Sequence, residues 1–286
     1  MKAGFWVAPE GSDDTMTIMP IGVEDTPGGR SASGAVSFLA TAGAEEIIAR
    51  CPRAAEMMPR LAAALENQKP GVVGQLFDLT DFGTEEKMLI GEVLGEGEVS
   101  GLVILTDGIT AQLQESVLTG LWRVRFTDAA GTEVADYLEV AEIPGVVIKG
   151  ASMTKPTIAW GPEPLGAMNV MPVLAEIKDR MANIKPGQPN HTISFTLLPM
   201  NEVDMDFLHE ALGDGPVQLL SKGYGTCRVL ATGARGVWSV QYFNAMDTII
   251  LDTLEIGDTP AAARATEEDF QDSAVRIHEI YEAYFK

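Results

Sequence analysis

Two stretches of the chain carry the same order of hydrophobic and polar positions. Gly120–Pro144 reads GLWRVRFTDAAGTEVADYLEVAEIP and Gly236–Pro260 reads GVWSVQYFNAMDTIILDTLEIGDTP. They align without a gap at an offset of 116 residues (236 − 120), and nine of the 25 positions are identical: Gly, Trp, Val, Ala, Thr, Asp, Leu, Glu and Pro. Upstream, Met58-Pro-Arg-Leu-Ala62 matches Met171-Pro-Val-Leu-Ala175, and Lys69-Pro-Gly71 matches Lys185-Pro-Gly187. The segment from Phe77 to Gly95-Glu-Gly97 matches the segment from Phe195 to Gly213-Asp-Gly215 at an offset of 118. Two copies of this length predict a pair of similar modules; a solenoid needs more and shorter repeats.

Each copy predicts the same elements. Leu61 and Leu65, or Leu174, Ile177 and Met181, form the apolar stripe of a helix, with Pro59 or Pro172 in its first turn. Lys-Pro-Gly breaks that helix. A strand follows at Gln75–Leu79 or Thr192–Leu198. A second helix is capped by Thr84 or Asn201 and stopped by Gly95 or Gly213. In Leu121–Phe126, Trp122, Val124 and Phe126 alternate with Leu121, Arg123 and Arg125. Trp238, Val240 and Tyr242 hold the same phase, the period-two signal of a half-buried antiparallel strand. Val134–Val140 and Ile249–Ile256 give the last strand.

The expected fold class is α+β: two tandem copies of one α/β module, each a mostly antiparallel sheet with helices on one face, related by pseudo-twofold symmetry. The expected division is 1–56, an N-terminal extension with loops at Gly11–Asp14 and Pro27–Gly34; 57–144, the first copy; 145–170, a Pro-rich linker; and 171–286, the second copy plus a C-terminal helix. Thr266 caps that helix, and Phe270, Ala274, Ile277, Tyr281 and Tyr284 form a stripe suited to packing on its own chain.

Composition narrows the classes of function. Of 286 residues 46% are hydrophobic and 21% charged, enough for a sizeable core. Against 20 Lys and Arg stand 41 Asp and Glu, a net charge of -21. Such a chain repels phosphate backbones and anionic lipid, which argues against nucleic acid and against a membrane surface. No apolar run reaches the roughly 18 residues of a membrane span. Met1–Pro9 lacks the apolar core of a secretory signal. Cys51 and Cys227 are far apart, His191, His209 and His278 are scattered, and there is no CxxC, so neither a disulfide scaffold nor a zinc or iron-sulfur signature is present. The expected location is cytoplasmic, and no cofactor is expected.

Chemistry is sought where the copies differ. Gly223-Tyr-Gly-Thr-Cys227-Arg228 faces Asp107–Gln112, which has neither Cys nor Arg. A thiol beside a guanidinium can be activated as a nucleophile or soft-metal ligand. Against this, Cys is commonly a small buried residue, and no base with its orienter accompanies it. In Gln241-Tyr-Phe-Asn244, Asn244 suits a turn. Gln114, Glu115 and Arg123 surround Trp122 in sequence and can form a recognition patch, whereas Trp122 and Trp238, present in both copies, suit a core. Asp136 and Asp252 share a phase with apolar neighbours, so each must be paired, lie at the sheet's end, or meet its equivalent across the symmetry axis. Gly95-Glu-Gly97 is a helix stop, not a phosphate cradle.

Several stretches together resemble the HupH/HyaF family of hydrogenase expression/formation proteins. They are Leu94-Gly-Glu-Gly-Glu-Val-Ser100, Gln114-Glu-Ser-Val117 with Gly120-Leu-Trp-Arg-Val124, Thr196-Leu-Leu-Pro199, Gly223-Tyr-Gly-Thr-Cys-Arg228, Trp238-Ser-Val-Gln-Tyr-Phe-Asn244 and Asp247-Thr-Ile-Ile-Leu251. Thr226 stands where the family usually has Asn, and Val237-Trp238-Ser239 where it often has Trp-Trp. The resemblance implies a non-enzymatic accessory or scaffold protein of uptake nickel-iron hydrogenase assembly. Its partners would be a hydrogenase subunit precursor before export and other hydrogenase maturation proteins. On this reading one face bearing Tyr224, Cys227, Arg228, Gln241, Tyr242 and Asn244, with Gln114, Glu115 and Arg123 from the first copy, binds the partner. Cys227 can then serve as a transient ligand of an iron fragment. The alternative is a small-molecule enzyme using Cys227 as nucleophile; a third reading is a homodimer through the C-terminal helix.

Overall fold

A computed structural model of the chain describes residues 44–223 and 225–285. The loops expected at Gly11–Asp14 and Pro27–Gly34 lie outside the described residues. The first part of the chain runs α1 (Ala44–Arg50), α2 (Pro52–Asn67), β1 (Gln75–Asp78), α3 (Thr84–Leu94), β2 (Val99–Ile104), β3 (Thr110–Glu115), β4 (Leu121–Thr127) and β5 (Glu133–Val140). It continues through α4 (Gly145–Ser152), α5 (Val170–Asn183), β6 (His191–Ser194), α6 (Glu202–Leu212), β7 (Asp214–Ser221), β8 (Thr226–Thr232), β9 (Val237–Phe243), β10 (Ile249–Ile256) and α7 (Glu267–Tyr284).

Two compact units result. In their described parts, one holds residues 44–100, 106–145 and 264–285, the other 101–105 and 146–263. The first contains antiparallel strands in the order β1-β5-β4-β3. The second contains antiparallel strands in the order β6-β10-β9-β8-β7. The repeated sequence thus folds with repeated connections: the strand before the second helix returns beside the last strand of its copy. The fold is α+β, as the element pattern predicts.

Local chemistry explains what the two copies share. Gly95 and Gly213 end their helices at φ 58° and 67°, a region that favours glycine. Two residues on, a Cβ on Gly97 would stand 2.1 Å from the carbonyl oxygen of Ser116, and one on Gly215 2.4 Å from that of Thr232. The Gly-x-Gly motif is therefore a helix stop followed by a close strand approach. Asp128 and Asn244 build the same turn: Asp128 Oδ1 accepts from the N–H of Ala130 and Thr132, and Asn244 Oδ1 from Met246 and Thr248. Thr80 Oγ1 accepts from Asp136 N, and Thr196 Oγ1 from Asp252 N, again 116 residues apart (196 − 80). The fold corrects the sequence alignment here. Phe77 pairs with Leu138 and Ile193 with Leu254, so the counterpart of Phe77 is Ile193 and not Phe195. The shift in offset falls later, between Thr196 and Asn201.

Other expectations are adjusted. Asn201 caps α6 as expected, accepting from Asp204 N at 2.9 Å while Asp204 Oδ2 accepts from Asn201 N. In α3 the cap position is Gly83, not Thr84. Pro59 lies inside α2, because Pro52 already occupies the first turn. Ala44–Arg50 and the start of α2 are helical within the stretch read as an extension, and the Pro-rich segment 145–170 contains α4.

The core of the first unit packs Met58, Leu61 and Leu65 of α2 and Leu89, Ile90 and Val93 of α3 against Phe77, Leu121, Leu138 and Val140. Registers place these four strand residues on one face. In the second unit Leu174 and Ile177 of α5 and Leu208 and Leu212 of α6 pack with Ile193, Val237, Leu254 and Ile256. The helix-facing phase is therefore Leu121/Arg123/Arg125, a choice that the alternation alone leaves open. Trp122 and Val124 are nonetheless buried, on the opposite face. The C-terminal helix, grouped in sequence with the second copy, folds onto the first: Phe270, Ala274 and Ile277 join the core of α2 and α3, and Ser273 Oγ donates to Thr119 O at 2.9 Å. Its stripe is thus buried in its own chain.

Candidate functional site

On β8 and β9 the register pairs Cys227 with Tyr242 and Arg228 with Gln241. Neighbours along a strand point to opposite faces, so the single binding face expected for these residues is divided. Cys227 is buried and hydrogen-bonded to Tyr242. Burial pushes its thiol up to about 11, against the lowering effect of the Tyr242 bond. Burial, with the neighbouring Cys227, pushes the Tyr242 phenol up to about 12. The thiol is protonated at neutral pH and Arg228 lies on the other face, which favours the reading of Cys227 as a small buried residue over its activation by the guanidinium. The Arg228 guanidinium instead lies 5.3 Å from the Phe243 ring centroid. Gln241 is buried, with Nε2 3.4 Å from Asp252 Oδ1. Asn244 spends its side-chain oxygen on its own turn. Tyr224 lies outside the described residues.

Gln114, Glu115 and Arg123 are also turned inward. Gln114 Nε2 donates to the carbonyl of Glu115 at 2.9 Å. Arg123 forms a bidentate pair with the fully buried Asp136, at 3.0 Å from Nε and 2.8 Å from Nη2. Lys87 lies 3.4 Å from the same carboxylate and 2.9 Å from that of Glu133. The buried acid is thus neutralised within its own copy, as a charge removed from water must be. Its counterpart Asp252 faces an amide, because Gln241 replaces Arg125 and Ser239 replaces Arg123.

Glu115 pairs across strands with Trp122, and Trp122 with Glu139, so one row of the sheet reads Glu-Trp-Glu. Trp122 Nε1 donates to Ala141 O at 3.0 Å. Glu115 accepts from Gly120 N at 3.1 Å and Glu139 from Gly145 N at 2.9 Å. Burial raises both carboxyls, Glu115 to about 7. These acids brace main-chain turns and are not surface recognition groups.

The structure adds a feature absent from the sequence reading. A groove lies between α2 and β1, in two lobes of about 340 and 300 Å³ that share Arg60 and Phe77. Ala63, Ala64 and Asn67 line one lobe; Arg53, Glu56, Met57, Asp78 and Phe82 line the other. Arg53 stacks 3.8 Å from the Phe82 centroid and Arg60 5.4 Å from that of Phe77. Beside the groove, Val72, Val73 and Leu76 are 56%, 90% and 60% exposed. The available sequence signal was the contrast of Val72-Val73 with Gln188-Pro189 at the matching place of the second copy.

Among the described residues no three His, Cys, Asp or Glu side chains are grouped to hold a metal ion, and no helix is long and apolar enough to cross a membrane. Comparison with known proteins supplies the family. The model described as the HupH hydrogenase expression protein, C-terminal conserved region, matches residues 52–153 and again 167–284. The chain belongs to this family. It is 57% identical over 286 residues to the hydrogenase expression/formation protein HupH of Rhizobium leguminosarum bv. viciae, covering 100% of both chains. It is 39% identical to the hydrogenase expression/formation protein HoxQ of Azotobacter vinelandii over 81% of this chain and 82% of that one. It is 32% identical to the hydrogenase-1 operon protein HyaF of Escherichia coli (strain K12) over 82% of each. Each of the two matched segments contains one of the two sequence copies.

Proposed function

We propose that this chain is a cytoplasmic, non-catalytic accessory protein of nickel-iron hydrogenase assembly that binds a hydrogenase subunit precursor before export. The observation that carries the reading is the 57% identity, end to end, with a hydrogenase expression/formation protein. The buried side chains speak against a catalytic role. The acids and amides singled out by sequence hold turns, strands and one another, and the Cys227 thiol is buried and pushed up to about 11, against the rival reading of Cys227 as nucleophile.

The test is purification of the tagged full-length chain from cells that express the hydrogenase structural genes. Recovery of an unprocessed subunit supports the proposal and names the client. A preparation free of both subunits, while hydrogenase is being made, refutes stable client binding.

A further inference from the structure

The internal duplication provides its own control for the groove at β1. β1 and β6 occupy the same place in the two copies, and among the described residues each is paired on one side only, to β5 or β10. An unpaired strand edge is a template for another chain, and proteins commonly blunt it with Pro, polar or charged residues. The second copy does so. At the positions of Val72, Val73 and Leu76 it carries Gln188, Pro189 and Thr192. Asn190 is tied to Glu255 at 3.0 Å and His191 to Glu176 at 2.7 Å. The first copy leaves its three apolar residues exposed along the strand and its approach. Next to them lies the groove, floored by Phe77 and Ala64 and rimmed by Arg60.

Charge selects the occupant. Arg50, Arg53, Arg123, Arg125 and Arg264 each have a carboxylate partner. Among the described residues Arg60, like Arg180, Arg228, Arg235 and Arg276, has no carboxylate within ion-pair distance, and of these five it is the one that lines the groove, where it rests on the Phe77 ring. In a chain of net charge -21, a guanidinium left without a carboxylate is complementary to one brought from outside.

We propose that β1 takes up an extended segment of a partner polypeptide as an added strand. Alternate side chains of that segment enter the α2–β1 groove on the Phe77 face, an intervening apolar one covers Leu76 on the other face, and one acidic side chain meets Arg60. This rests on the client-binding function above and assigns it a place.

Two measurements on the full-length protein test it, in cells making hydrogenase. The first replaces the edge by the second copy's own residues, Val72→Gln, Val73→Pro and Leu76→Thr together, with Arg60→Ala as a separate variant. The second places a photo-crosslinking benzoylphenylalanine at position 76 or, in parallel, at 192. Recovery of the subunit precursor is expected to fall about tenfold or more in the edge variant and several-fold in Arg60→Ala, with the melting temperature unchanged. Crosslinks to the precursor are expected from 76 and not from 192. If wild type recovers the precursor and the folded edge variant recovers as much, or crosslinks arise equally from 192, the edge proposal fails while the function stands. If wild type recovers no precursor, both fail. If position 76 crosslinks only to a second copy of this chain, the edge is a self-association surface and the proposal is overturned.

Discussion

Glu115→Gln is expected to remove a pH-dependent weakness from the fold. Glu115 is buried, with one carboxylate oxygen 3.1 Å from the Gly120 N–H. Desolvation, reinforced by the negative charges of Asp269 and Glu98, raises its carboxyl from 4.5 to about 7. The folded state therefore holds this proton more tightly than the unfolded state, by roughly 300-fold, or about 3 kcal/mol. Below pH 4.5 both states are protonated and the group is neutral in its effect. Between 4.5 and about 7 the folded state binds more protons, so stability falls as pH rises; above about 7 the full penalty is present. Glutamine keeps an oxygen for the Gly120 N–H and carries no charge. The gain of the variant over wild type should grow by about 2 kcal/mol between pH 5 and pH 8. Urea unfolding of both proteins, followed by circular dichroism with the two units fitted as separate transitions, measures this difference. A gain that is constant across the range refutes the desolvation argument. Burial raises Glu139 in the same direction, so the Glu115→Gln variant keeps a residual slope of the same sign, which cancels in the difference from wild type.

Further outcomes follow from named contacts. Gly97→Ala brings a Cβ to within 2.1 Å of the Ser116 carbonyl oxygen and should cost about 3 kcal/mol, whereas Gly161→Ala, with nothing within 4 Å, should be nearly neutral; thermal melts distinguish them. Asp136→Ala leaves Arg123 and Lys87 facing an uncompensated cavity and should cost about 3–5 kcal/mol by urea unfolding; a loss below about 1 kcal/mol contradicts the buried-pair reading. Phe270→Ala should destabilise the first unit by about 3–5 kcal/mol, measured by hydrogen exchange in α2 against α5. Native Cys227 should resist iodoacetamide at pH 8, because its thiol stays protonated to about 11; rapid labelling at pH 7 would restore the reactive-cysteine reading, and Cys227→Ala should otherwise leave hydrogenase maturation unchanged.

The duplication, the helix stops and the turns were legible in the sequence because each is closed by contacts over a few residues. Gly95 and Gly213 need only a positive φ, Asn201 needs only Asp204, and Asp128 and Asn244 bond to N–H groups two and four residues ahead. Period-two alternation likewise marked β4 and β9. It could not say which phase meets the helices, since Leu121 and Trp122 are both fully buried. That choice belongs to strand register, which also sets Arg123 against Asp136 and turns Cys227 away from Arg228. Proximity along the chain suggested one recognition face; pleating placed successive residues on two. The C-terminal helix shows the same limit. Its apolar stripe was readable, but its place against α2 depends on Gly120, where a Cβ would stand 2.4 Å from the Phe270 ring, a contact 150 residues distant (270 − 120). Sequence by itself thus determined the modules and their local closures, which short-range hydrogen bonding and backbone conformation fix. Tertiary structure decided which side chains are used up inside the modules and which edge is left open, because burial and cross-strand pairing join residues that the linear order keeps apart.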